Sequence, residues 1–170
     1  TGAGRGLGRK IAERLARRGI HVVATDLDEG AARITAAILD GTGLGQDVRD
    51  PDSHLRVARE AAKHGDLKIW VNNAGVLRDK SFSKMTLDDF RLVVDVHLMG
   101  SFYTTKVVWD IMKAQGYGRV IFTTSSSGLF GNFGQANYGA AKMAVVGLMQ
   151  TLSLEGEKYN VRVNCLAPTA

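Results

Sequence analysis

Thr1-Gly2-Ala3-Gly4-Arg5-Gly6-Leu7-Gly8 opens the chain, and its reading decides the fold. Four glycines stand just ahead of a helical pattern, as in a strand-to-helix turn whose backbone N–H groups and helix start can meet a pyrophosphate. Gly2, Arg5, Gly6, Leu7 and Gly8 are the candidate phosphate contacts. Taken alone the pattern is weak, because glycine-rich helix starts also serve as packing devices. A nucleotide-triphosphatase loop is excluded more firmly: no glycine-lysine pair followed by serine or threonine stands at the required spacing.

Outward from this turn, short apolar runs rich in β-branched residues alternate with longer segments of helical period. The runs predict strands at 21–25, 44–48, 68–72, 119–123 and 161–166. The periodic segments predict helices at 6–18, 30–39, 53–64, 87–114 and 138–159, with Gly19 placed to stop the first. That alternation implies α/β architecture around a parallel sheet, in one domain spanning residues 1–170. A glycine turn of this kind also needs a strand before it. The expectation is therefore a first strand ahead of Thr1, a substrate-covering segment with a final strand after Ala170, and an activity that belongs to a longer polypeptide.

Support for a nucleotide reading comes from Asp26, 18 residues after Gly8 at the end of the first visible strand. A carboxylate there can accept hydrogen bonds from an adenosine ribose and would repel a 2′-phosphate, which favours NAD over NADP. Arg5 pulls the other way, since a cation in the glycine turn could pair with that phosphate. Asp28 reads as a solvated neighbour. At Asn72-Asn73-Ala74-Gly75 two amides and two minimal side chains suit a backbone that grazes a flat ligand, although an ordinary asparagine turn looks the same.

Tyr138 and Lys142 lie one helical turn apart and share a face, with Ser125 at the end of a strand thirteen residues before the tyrosine. A phenol, with its ordinary pKa of about 10, is a poor acid or base near neutrality unless a neighbouring ammonium brings it into range. Such a pair alone is usually a surface contact. Here it stands beside three other ligand-shaped motifs.

Together these residues resemble the short-chain dehydrogenase/reductase family over the whole length. The second half, through Gly75–Phe82, Val96–Phe102 and Gly131–Tyr138, is most similar to the (3R)-hydroxyacyl-CoA dehydrogenase domain of peroxisomal multifunctional enzyme type 2. Residues 26–68 are more like the general bacterial family, which points to a stand-alone bacterial enzyme of similar specificity.

The resemblance implies a Rossmann-type, doubly wound, three-layer α/β fold that binds NAD, with NADP as the alternative. It implies hydride transfer to or from a secondary alcohol or ketone, here a 3-hydroxyacyl or 3-oxoacyl thioester, in a homotetramer or homodimer. Its runners-up are an NADPH-dependent 3-oxoacyl carrier-protein reductase and a steroid or sugar-alcohol dehydrogenase, and a non-catalytic dinucleotide sensor is the reading from another class.

By the same resemblance Tyr138 is the general acid or base, Ser125 holds the substrate oxygen, and Lys142 supports Tyr138 and the nicotinamide ribose. Asp47 and Val48 flank the adenine, Asn73, Ala74 and Gly75 line the ribose and nicotinamide side, and Pro168 also belongs to the cofactor set. Two positions depart from the family. His97 replaces an asparagine that helps hold a proton-relay water; an imidazole could serve that relay or be a satisfied structural residue. After Pro168, Thr169 and Ala170 stand where many relatives have glycine.

Composition narrows the remaining classes. Of 170 residues 45% are hydrophobic and 23% charged, which excludes a disordered or fibrous chain. The 20 glycines exceed the usual share of roughly 7%. Net charge is +5, but Lys10, Arg14 and Arg17 or Arg18 fall opposite Ile11, Leu15 and Ile20 as the solvated face of one helix. No basic stripe with interleaved aromatics and no metal-ligand spacing appears, so neither nucleic acid nor metal is expected. No apolar run or leader points to a membrane, and the expected compartment is cytoplasmic. The single cysteine, Cys165, reads as a buried strand thiol.

Overall fold

A computed structural model describes residues 1–168. Thr169 and Ala170, where the sequence departs from the family pattern, lie outside the described residues. The chain runs α1 (Gly6–Ala16), β1 (Val23–Asp26), α2 (Glu29–Leu39), β2 (Thr42–Gly45), α3 (Pro51–Ala62), β3 (Ile69–Asn72), α4 (Leu87–Val94), α5 (Gly100–Gln115), β4 (Gly118–Thr123), α6 (Ser126–Phe130), α7 (Ala136–Gly156) and β5 (Val161–Leu166). All strand pairings are parallel, β1 with β2 and, in a second group, β3 with β4 and β4 with β5. This is the Rossmann-type layered α/β architecture expected from the alternating pattern.

The main core fills the layer where α3, α5 and α7 meet β3, β4 and β5. Phe122, Val120, Met112, Val108, Val145 and Val161 are all buried there. Burying each such side chain fully contributes roughly 1.5–3 kcal/mol, offset by the entropy of ordering the chain. A smaller cluster of Ala3, Ala24 and Ala36 lies under α2.

Several boundaries differ from the expected ones for local reasons. β1 is shifted to end on Asp26 itself, and β2 stops at Gly45, leaving Asp47 and Val48 in the turn beyond it. Asp28 is not merely solvated: its carboxylate accepts from Ala31 N–H at 3.0 Å and caps α2. The predicted long helix at 87–114 is helical throughout, but Asp95–Met99 winds as a π-turn. Ser125 is not the end of a strand; it is the N-cap of the short helix α6, which periodicity could not reveal in five residues.

A cavity of about 410 Å³ separates the facing edges of β1 and β3, walled in part by Ile11 and Leu15 of α1, Val23 of β1 and Ile69 and Val71 of β3. Residues 1–3 stand at one end of it. The Thr1 amine donates to the Val71 carbonyl at 2.8 Å, and Ala3 N–H to the Thr25 carbonyl at 2.8 Å.

Candidate active site

Two sequence motifs 70 residues apart come together through glycine. A Cβ on Gly2, whose φ is +62°, would lie 2.8 Å from Ala74 Cα, and one on Gly8 would lie 2.0 Å from the Gly2 carbonyl oxygen. The glycine turn therefore stacks directly on the Asn73–Ala74 turn, with no room for side chains between them. Asn73 locks this stack, its amide donating to the Thr1 and Gly2 carbonyls at 3.2 and 3.1 Å. Thr1 Oγ1 accepts from both Asn73 N–H and Ala74 N–H. The Asn73 side chain is thus a strut between the two turns.

Arg5, Gly6 and Leu7 are exposed at the start of α1, which has neither a side-chain cap nor an acidic residue in its first turn. A helix end of this kind, open to solvent and with no acidic residue in its own first turn, fits a pyrophosphate. Asp26 is within reach but engaged: its carboxylate accepts from Gly4 N–H at 2.9 Å and Asp28 N–H at 3.1 Å. Asp47 is held bidentately by Arg49, whose guanidinium keeps its carboxyl below the usual carboxylate range. Val48 is buried against Gly100 at the start of α5.

The catalytic candidates cluster where β4 ends. Lys142 is only 4% exposed, and its Nζ donates to the Thr123 carbonyl. Burial pulls its pKa from the ordinary lysine value down to about 8, with Cys165 acting weakly in the opposite direction. Thr124 Oγ1 donates to the Lys142 carbonyl at 2.6 Å, so the lysine is tied to the end of β4 at both its tip and its backbone. Its ammonium lies 5.4 Å from the Tyr138 ring centre. Helix α6 presses close to α7, since a Cβ on Gly128 would come within 2.8 Å of Lys142 Cβ. That packing brings Ser125 to the same corner.

His97 completes the group from the π-turn. It is 4% exposed, its ring meets Tyr138 edge-on with centres 5.1 Å apart, and Nε2 lies 2.8 Å from the Val76 carbonyl. A π-turn inserts one residue into the helical ladder, a common way of aiming a side chain at a site. Burial, with the Lys142 charge second, pushes the pKa of His97 down to about 4, so it is neutral at pH 7. Its Nδ1 is buried without a partner. Gly75 fits only because it lacks a side chain: a Cβ there would lie 2.5 Å from His97 Cε1.

Several working parts escaped sequence reasoning. Asn137, fully buried, accepts Tyr138 N–H at 2.7 Å and donates to the Arg78 and Asp89 carbonyls, fixing the start of α7. Thr123 and Thr124 had no motif to mark them. Pro168 is exposed just beyond β5. Burial raises the pKa of the Cys165 thiol, and its Sγ points at the Val145 carbonyl, as suits a structural thiol. Among the described residues no helix is long and apolar enough to cross a membrane, and no cluster of His, Cys, Asp and Glu is placed to hold a metal ion.

A glycine turn on an open helix start, joined to a tyrosine beside a buried lysine, is the framework of an oxidoreductase domain. The short chain dehydrogenase family model matches residues 1–170. The chain belongs to that family. It is 43% identical over 184 residues to the peroxisomal multifunctional enzyme type 2 of Mus musculus, covering 100% of this chain and 25% of that protein. It is 44% identical over 183 residues to the peroxisomal hydratase-dehydrogenase-epimerase of Saccharomyces cerevisiae, covering 100% of this chain and 20% of that one. It is also 38% identical over 171 residues to the 3-oxoacyl-acyl-carrier-protein reductase FabG of Escherichia coli, covering 99% of this chain and 70% of that protein. The chain thus spans a quarter or less of the two multifunctional relatives.

Proposed function

We propose that this protein is an NAD-dependent oxidoreductase interconverting a 3-hydroxyacyl and a 3-oxoacyl thioester. The carrying observation is Lys142, buried, tethered to the end of β4 and directed beside Tyr138. Burying a lysine is costly unless its charge is used, and the group next to it is the one hydroxyl-bearing ring at this corner. The name of FabG, a 3-oxoacyl-acyl-carrier-protein reductase, supports the thioester class, and Asp26 supports NAD.

Tyr138 takes the proton from the substrate hydroxyl in oxidation and returns it in reduction, while Ser125 donates a hydrogen bond to the same oxygen as negative charge develops there. The Lys142 ammonium stabilises negative charge on the phenolic oxygen. Neutral His97, held by Val76 at Nε2, presents a buried Nδ1 without a partner that can hold a water beside Tyr138 and serve the proton path. A bound nicotinamide dinucleotide would supply the hydride acceptor or donor. Gly2, Gly6, Gly8 and the Ala74–Gly75 turn would hold it, with Asp26 at its ribose and Asp47 and Val48 at its adenine.

The slot between β1 and β3 belongs to the same reading: an extended segment there would pair with both edges and aim the glycine turn. Steady-state rates on acetoacetyl-CoA with NADH and with NADPH test the proposal. Faster turnover with NADH is expected; preference for NADPH would favour the carrier-protein reductase reading that Arg5 permits. No turnover of any ketone despite cofactor binding would overturn the enzymatic reading.

A further inference from the structure

Beneath the turn that carries Asp47 and Val48 lies a buried polar chain that the chemistry at Tyr138 does not use. Thr25 Oγ1 donates to Gln46 Oε1 at 2.6 Å, and Gln46 Nε2 lies 3.1 Å from His54 Nδ1. All three residues are buried, His54 completely. Because a hydroxyl occupies the Gln46 oxygen, the amide nitrogen must donate, which makes Nδ1 the acceptor and places the imidazole proton on Nε2. Burial holds His54 below the ordinary histidine pKa, in keeping with that neutral form.

His54 sits on α3 next to the core residues Val57 and Ala58, where an aliphatic side chain would pack without desolvating a polar ring. What the imidazole gains is a hold on the turn. It holds the Gln46 side chain through Nδ1, while Nε2 is buried without a partner. Its neighbour Ser53 donates from Oγ to the carbonyls of Asp47 and Asp50 at 2.8 and 2.7 Å. From the other side the ring stacks on Tyr103 of α5, 6.5 Å between centres. Gln46 and Asp47 are thus each fixed from below, in a segment that has already left the β2 ladder.

We propose that His54 is a positioning residue for the adenine-side turn: through Gln46, and beside Ser53 on the Asp47 carbonyl, it sets affinity for the adenosine half of the dinucleotide and leaves the chemical step alone. This rests on the reading that Asp47 and Val48 flank the adenine. The test compares His54→Leu, which keeps bulk but removes the acceptor, with His54→Asn, whose amide oxygen can sit near the Nδ1 position. Binding of ADP-ribose is measured by calorimetry, and steady-state constants are measured with NADH and with reduced nicotinamide mononucleotide, which lacks the adenosine.

The expected result for His54→Leu is about tenfold weaker ADP-ribose binding and a matching rise in KM for NADH, as befits a broken buried hydrogen bond. Turnover number and KM for the mononucleotide stay at wild-type values, and His54→Asn restores most of the ADP-ribose affinity. Unchanged ADP-ribose binding, or an equal loss with the mononucleotide, overturns the proposal. Should His54→Leu fail to fold, Thr25→Val cuts the same chain at its far end and is expected to weaken ADP-ribose binding about threefold; no weakening there overturns it equally. A wild-type protein that binds no ADP-ribose sinks the cofactor reading itself, a result distinct from variants that match a binding wild type.

Discussion

The corner at the end of β4 and the open face along α1 and β1 are built on opposite plans. At the corner Lys142, His97, Asn137 and Thr124 are buried, and each is hydrogen-bonded to backbone. On the open face Arg5, Gly6 and Leu7 are exposed, and the two useful carboxylates are already occupied, Asp26 by Gly4 N–H and Asp47 by Arg49. Groups that move a proton must hold their geometry before the substrate arrives, because misplacement by an ångström is costly to rate. Groups that only bind can exchange one partner for another, since a surface ion pair or a solvated amide is worth little. The molecule is pre-organised where chemistry happens and exchangeable where the cofactor lands.

The hardest strike at this contrast is Tyr138→Phe. With the phenolic hydroxyl gone, turnover on acetoacetyl-CoA is expected to fall about a thousandfold or more while ADP-ribose affinity stays constant. Near-normal rates would end the proposed mechanism.

Lys142→Met comes next, with about a hundredfold loss of turnover and a second signature in stability. The folded-state pKa of Lys142 is about 8, against about 10.4 for an unfolded lysine. Between those pH values the unfolded chain binds the extra proton, so stability rises with pH across the window. Denaturant midpoints measured from pH 8 to 10 should climb in the wild type, and the Lys142 contribution, about 3 kcal/mol in all, should vanish in the variant. Identical slopes would place the lysine in a more solvated setting than the structure gives it.

On the binding face the effects shrink. Asp26→Asn removes the charge while leaving an acceptor for Gly4 N–H, and the ratio of NADPH to NADH efficiency is expected to rise about tenfold. No change in that ratio would mean Asp26 is purely a strut for the glycine turn. Arg49→Ala releases the Asp47 carboxylate and should alter ADP-ribose affinity no more than about threefold, in line with an exposed guanidinium on a partly buried carboxylate. A large loss would move Arg49 into the binding site proper.

Much of this was legible along the chain. Glycines before a helical pattern, β-branched runs alternating with helices, and a tyrosine and lysine one turn apart define the architecture and the reacting pair, because each signal is local and periodic. Asp28 illustrates what was missed: capping depends on which residue happens to precede the first helical turn, and its neighbour Asp26 looks the same in sequence. The Asn73 amide carries no sign in the sequence of which way it faces, and only the fold shows it bridging the two turns.

The sequence by itself determined the parallel α/β architecture, the glycine turn and the Tyr138–Lys142 spacing. These follow from backbone sterics and side-chain period, which act over a few residues. Only the tertiary structure decided that the glycine turn rests on Asn73, that His97 is turned toward Tyr138 by a π-turn, and that His54 lies beneath Asp47 and Val48. Each of those contacts joins segments about 20 or more residues apart or depends on burial, and no local pattern records a hydrogen bond whose partner is brought near only when the core closes.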